Sequence, residues 1–194
     1  MKKCKLNYQM KNILILVILL FYLGAHAQLG LAKGELYEKG IIYFKDGTSE
    51  EGLIKSKSFG GVKFRESLDS KPQSYDYNDI EGYDITEHGS VKYRYKKVGD
   101  FHKIMKVIRL GKMNLYSVFV SNAGTAGAMG LPSSQGNIYY IEKNQKVVNI
   151  GSKIRKNEWY LFEDCPILLE KIKKKEFKKY EIFKIVNFYD TKCK

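Results

Sequence analysis

The sequence predicts a mainly β domain, α+β overall: a curled antiparallel sheet, roll or sandwich of about ten short strands, capped by two C-terminal helices. Three observations carry that prediction. From Glu35 to Phe162, Tyr, Ile, Val and Phe recur in short runs broken by Gly, Asn and Asp, the pattern of antiparallel strands. After Phe162 the apolar period changes to that of amphipathic helices. Two cysteines, Cys165 and Cys193, bracket the helical segment.

Residues 1–27 read as an export signal, because Lys2, Lys3, Lys5 and Lys11 precede the apolar run ILILVILLFYLG, which ends in Ala25-His26-Ala27. That run is about a dozen residues, short of the roughly 20 needed to cross a bilayer. Cleavage before Gln28 is expected, with no transmembrane span in the mature chain. Cys4 lies ahead of the apolar run and leaves with the peptide, so no lipid anchor is expected. Residues 28–34 form a short lead into a β domain at 35–162, followed by a helical pair at 163–194.

Within the β domain, Asp46-Gly47 stands between two strand-like runs and predicts a tight hairpin with a type I′ turn, which needs positive φ at both centres. Strands are expected near 38–45 and 48–56, then at 61–66, 74–77, 80–85, 91–98, 102–110 and 113–121. Beyond the glycine-rich stretch AGTAGAMGLPSSQG (123–136) come 137–143, 147–151 and 158–162. So many strands in one domain imply a curled sheet, since a flat one leaves long exposed edges. Trp159, Tyr160 and Phe162 are expected to pack where the sheet meets the C-terminal segment.

The helical pair is expected near 164–174 and 177–190, with Asp164 as N-cap and Pro166 in the first turn. Leu168, Leu169 and Ile172 share one side of the first helix, and Ile182, Ile185, Val186 and Tyr189 follow helical spacing in the second. In an oxidising compartment a disulfide between Cys165 and Cys193 would tie the start of one helix to the end of the other. Neither cysteine sits in a C-x-x-C motif, so the pair reads as structural.

The net charge of +13 stays strongly positive after the four signal-peptide lysines are removed. In an exported protein that charge points away from nucleic acid and toward envelope glycan, an anionic lipid surface or another envelope protein. Residues 165–194 hold nine lysines against four acids. Lys171, Lys173, Lys174, Lys175, Lys178 and Lys179 form a candidate patch for an anionic partner.

A second candidate face lies in SYDYNDIEGYDITE and the basic run that follows it. Tyr75, Tyr77, Tyr83, Tyr93 and Tyr95, with Asp76, Asp79 and Glu81, have the chemistry of a sugar-binding face, rings stacking while carboxylates accept hydroxyl hydrogen bonds. The acids, Asp84 and Glu87 included, also suit cross-strand pairing with Lys92, Arg94 and Lys96 around a turn at 87–90. Ile80 occupies a ligand position of a calcium loop, which excludes an EF-hand.

The glycine-rich stretch lacks the lysine and following helix of a phosphate loop and reads as a long hairpin loop, with a lid or contact surface as its sharper alternative. His88 and His102 have no partner at metal-ligand spacing, and no nucleophile motif is present; no metal or cofactor is expected. An exported, non-enzymatic binding or structural component of the cell envelope is the reading these features favour. The alternative is an envelope enzyme acting on glycan or lipid with carboxylates of residues 76–87. An enzyme needs a concave site holding two nearby carboxylates, whereas a binding module needs a tyrosine face or a lysine patch.

The stretches KGIIYFKDGTSEEGLI, YNDIEGYDI and DCPILLEKI…VNFYDTKC resemble a layout of uncharacterised exported proteins of Bacteroidetes-type bacteria. The resemblance spans most of the mature chain and implies location in the periplasm, the cell envelope or outside the cell. It brings no catalytic or binding residues with it.

Overall fold

The computed structural model describes residues 37–57, 60–121 and 135–193. The expected export segment 1–27, the lead 28–34 and residues 123–134 of the glycine-rich stretch lie outside them. Ten strands form one sheet: β1 (Glu38–Phe44), β2 (Ser49–Ser56), β3 (Val62–Arg65), β4 (Gln73–Tyr75), β5 (Ile80–Ile85), β6 (Val91–Val98), β7 (Phe101–Arg109), β8 (Asn114–Ser121), β9 (Gln135–Lys143) and β10 (Lys146–Gly151). Their order is β10-β9-β8-β7-β6-β5-β1-β2-β3-β4. The sheet is antiparallel and open, and two C-terminal α-helices, α1 (Pro166–Lys173) and α2 (Ile182–Lys192), complete the predicted class.

The connection from β4 to β5 dictates the curl. Four residues, 76–79, join the edge strand β4 to β5, which lies four strand spacings away in the sheet order. A flat sheet would place them about 19 Å apart. The linker reaches at most about 17 Å fully extended. It is not extended, because the Asp79 and Ile80 amides both donate to Asp76 O at 3.1 Å. The β1–β4 end must therefore fold over so that β4 comes back toward β5.

Register shows which way each end curls. Tyr93 and Tyr95 of β6 and Ile104 of β7 pack with Ile42, Ile54, Val62, Phe64 and Tyr83. Met105, the next residue of β7, packs instead with Tyr116 and Tyr140. Successive side chains of a strand point to opposite faces, so the two clusters lie on opposite sides of the sheet. Under the second cluster Glu142 of β9 receives Lys96 of β6 at 2.9 Å, Asn114 at 2.8 Å and the Tyr116 hydroxyl at 2.6 Å. That contact across three strand spacings requires the β10 end to curl too, toward the other face.

The helices cover the face left open on β8–β10. Leu168 and Ile172 of α1 and Ile182, Ile185, Val186 and Tyr189 of α2 share a core with Met113, Leu115, Ile141 and Ile150. Each side chain so buried contributes about 1.5–3 kcal/mol of transfer free energy. Cys165 and Cys193 are bridged within this core, with their Cα atoms 5.4 Å apart, and join the start of α1 to the end of α2. Arg109 and the Met113 amide bind the Asp190 carboxylate at 2.6 and 3.0 Å, fixing α2 to the β7–β8 turn.

Three local expectations are corrected. Residues 156–162, expected as a strand at 158–162, form a 3-10 helix, Lys156–Phe162, because the Glu158 carboxylate turns back to accept the Arg155 amide at 2.6 Å. Of its aromatic residues, Phe162 is fully buried and Trp159 partly so, while Tyr160 is exposed. Asp164 does not cap α1: Cys165 holds the N-cap position, and Asp164 binds Lys143 and Tyr189 instead. At Asp46-Gly47 only the glycine has positive φ, so the hairpin is not type I′; Asn144-Gln145, the two-residue loop between β9 and β10, has positive φ at both centres.

Candidate functional site

α1 ends at Lys173, and Lys175 turns the chain with φ of 61° before the linker runs on to α2. The Ile154 amide donates to Lys179 O at 2.8 Å, which staples the chain after β10 to this linker. Together they enclose a cleft of about 890 Å³. Lys153, Arg155 and Lys156 line one side; Lys173, Lys175, Lys178 and Lys179 line the other. Trp159, Phe177, Tyr180, Ile154 and Ile172 supply its apolar surface. The volume lies within the range of small-molecule sites.

Among the described residues no carboxylate lines this cleft. Of the six lysines that the sequence groups together, Lys171 and Lys174 lie outside it and are paired with Glu176 and Glu170. The other four face the cleft without a carboxylate partner among the described residues. Of the three cations contributed by the chain after β10, Arg155 alone is ion-paired, to Glu158 at 3.0 Å. Lys173 lies over the Trp159 ring at 5.8 Å and Lys178 over Tyr180 at 6.0 Å. Those aromatic faces partly compensate the ammonium charges but leave the site positive. A concave wall of one sign focuses its field into the opening and concentrates counter-ions there. The arrangement can bind an anion with an apolar or planar body and supplies no acid–base pair.

Lys153, Arg155 and Lys156 were not part of the patch that the sequence marks. Their signal was present, three cations in four residues beside the chain's single tryptophan. What the sequence hides is the backbone hydrogen bond that sets Ile154 against Lys179.

Four of the five candidate tyrosines, Tyr75, Tyr83, Tyr93 and Tyr95, share one apolar cluster of the sheet rather than an exposed ligand face. Tyr83 is buried, stacks on its cross-strand partner Tyr93 at 4.9 Å and shares a hydrogen bond with Ser56 at 2.8 Å. Tyr75 packs edge-on against Phe44 at 5.3 Å. Burial raises the Tyr75 hydroxyl above its ordinary value, and it raises Tyr95 as well. Tyr77 is exposed, stacks on His102 and meets Tyr95 edge-on.

The carboxylates of residues 76–87 are largely committed to structure. Asp76 Oδ1 accepts the Asn78 amide at 2.7 Å and Asp79 Oδ2 the Asp76 amide at 3.0 Å, so both hold the turn. Glu87 accepts the Lys39 amide at 3.0 Å. Asp84 is buried between Arg94, at 2.6 Å, and the Tyr43 hydroxyl, and it lies opposite Lys92 in register. Cross-strand pairing therefore occurs at Asp84, whereas Lys96 pairs across the curl with Glu142 rather than with these acids. Glu81 is exposed. Among the described residues no group of three or more His, Cys, Asp and Glu could hold a metal ion, and no helix is long and apolar enough to cross a membrane. The disulfide indicates an oxidising environment. The chain matches no protein-family model, no curated protein and no solved structure.

Proposed function

We propose that the protein is an exported, non-enzymatic binding component of the cell envelope, and that it captures an anionic ligand in the cleft between the 3-10 helix and the α1–α2 linker. One observation carries the reading: seven cations converge on one cavity with aromatic walls and, among the described residues, no carboxylate. Gathering like charges costs energy in the empty protein, and an anion recovers it. A concave site with Trp159 in its wall suits an inserted group, such as an acidic sugar or a phosphorylated head group, better than flat adsorption. The disulfide supports an exported location for this activity.

The enzyme alternative finds less support. Asp76 lines one depression and Glu81, together with Glu142, another, so these two carboxylates of residues 76–87 do not sit side by side as the expected acid pair.

The single tryptophan makes the test direct. Trp159 emission is followed while the protein is titrated with polygalacturonate or phosphatidylglycerol vesicles, and with dextran or phosphatidylcholine vesicles as neutral controls. At least one anion is expected to change the emission with an affinity that falls as salt rises. Equal responses to charged and neutral probes, or no response, would overturn the reading. The two anionic probes separate a glycan carboxylate from a lipid phosphate as the source.

A further inference from the structure

An aromatic cluster sits where the β4–β5 turn folds over β6 and β7. The Tyr77 ring stacks on His102 with centroids 4.4 Å apart and planes 6° from parallel, and it meets Tyr95 edge-on at 6.4 Å. These three side chains come from three different segments and form a ridge. A depression of about 560 Å³ lies on one side of it and another of about 370 Å³ on the other. All three aromatic residues line both depressions.

Each depression mixes hydrogen-bond acceptors with donors. Asp76, Ser74, Lys57 and Lys103 line the first. Glu81, Gln145 and Lys97 are among those lining the second. The Tyr95 hydroxyl is buried beside the Gly61 backbone amide. Gly60 and Gly61 both have positive φ, and a side chain at Gly61 would come within 2.9 Å of Tyr75 O. That wall of the first depression is therefore bare backbone.

The chemistry differs from that of the basic cleft, with which the ridge shares no lining residue. A ligand dense in hydroxyl groups needs acceptors and donors in alternation together with aromatic surface for its C–H faces, and a purely anionic ligand does not. We infer that the Tyr77–His102 ridge and its flanking depressions bind an extended neutral oligosaccharide, one sugar unit against the aromatic ridge and its neighbours in the depressions on either side. The site is separate from the anion cleft, so the protein would hold two envelope components at once.

The test is an NMR titration of the intact protein with cellotetraose, chitotetraose and mannotetraose in turn, following the His102 imidazole and Tyr77 ring resonances, with Trp159 emission recorded in parallel. At least one oligosaccharide is expected to shift His102 and Tyr77 while leaving Trp159 emission unchanged. In Tyr77→Ala the affinity for it should fall by about tenfold, the size expected for loss of one aromatic contact. Lys103→Ala, which leaves the ring stack intact, should weaken binding in the same direction. If none of the three moves the His102 resonance, or if both variants bind as the parent does, the inference is overturned. A response at Trp159 instead would assign the sugar to the basic cleft and overturn it equally, leaving the anion reading untouched.

Discussion

Reducing the Cys165–Cys193 bridge should cost the protein a large part of its stability, and the structure sets the size. The cysteines are 28 residues apart, and the closed loop contains both helices and the whole linker that lines the basic cleft. In the chain-entropy model a loop of that length is worth about 3.6 kcal/mol at room temperature, through the freedom that the bridge denies the unfolded chain. With a urea dependence of about 2 kcal/mol per molar, the unfolding midpoint should fall by about 1.8 M. The assay is equilibrium urea unfolding of the oxidised protein, the dithiothreitol-reduced protein and the Cys165→Ala/Cys193→Ala variant, read by far-UV circular dichroism and by Trp159 emission. Both perturbed forms should lose similar stability, since both sulfurs are buried in one core. A midpoint shift below about 0.5 M in both forms would refute the reasoning, because the helical pair would then be held by packing alone.

Other outcomes follow from the same structure. Leu168→Ala, which empties a fully buried position between α1 and the sheet, should destabilise by about 3 kcal/mol in the same urea assay. Gly82→Ala should cost about 2–3 kcal/mol, because its new methyl group would overlap Tyr93 O and lie 2.9 Å from the Arg94 Cα; thermal melts measure this. At Glu142 burial alone would raise the carboxyl, but hydrogen bonds from Tyr116, Lys96 and Asn114 outweigh it and hold the group below its ordinary value. A depressed carboxylate contributes stability that is full above its unfolded value and is lost as pH falls through its folded value. Stability measured below the ordinary glutamate range should therefore decline less steeply in Glu142→Gln than in the parent protein.

Much of this architecture is legible in the sequence, and the gaps have physical causes. β-strands show themselves through short-range alternation, so Glu38–Phe44, Val91–Val98 and Phe101–Arg109 are read within a residue or two. The stripe Ile182, Ile185, Val186 and Tyr189 is equally plain, and all four are buried. The run Glu158–Phe162 misleads because Trp, Tyr and Phe favour strands, while one local hydrogen bond from Arg155 to Glu158 turns the segment into a 3-10 helix. The type I′ turn falls at Asn144-Gln145, which lacks the glycine that normally advertises it. Neither candidate site is a stretch of sequence. The basic cleft needs Ile154 to meet Lys179, and the aromatic ridge needs residue 77 to fold over residue 102, contacts that alternation and helical period do not encode.

The central claim is that the cleft, and not the total charge, recognises the anion. The most direct measurement compares two double variants that remove the same charge: Lys153→Ala/Lys179→Ala, inside the cleft, and Lys171→Ala/Lys174→Ala, whose ammonium groups are already paired with Glu176 and Glu170 outside it. Each is titrated with the anionic probe that the parent protein binds, at one salt concentration, with Trp159 emission as the readout. The first variant should lose at least about tenfold in affinity and the second less than about threefold, since exposed ion pairs contribute little. Equal losses in the two variants would contradict the account and reduce the lysines to a diffuse positive surface.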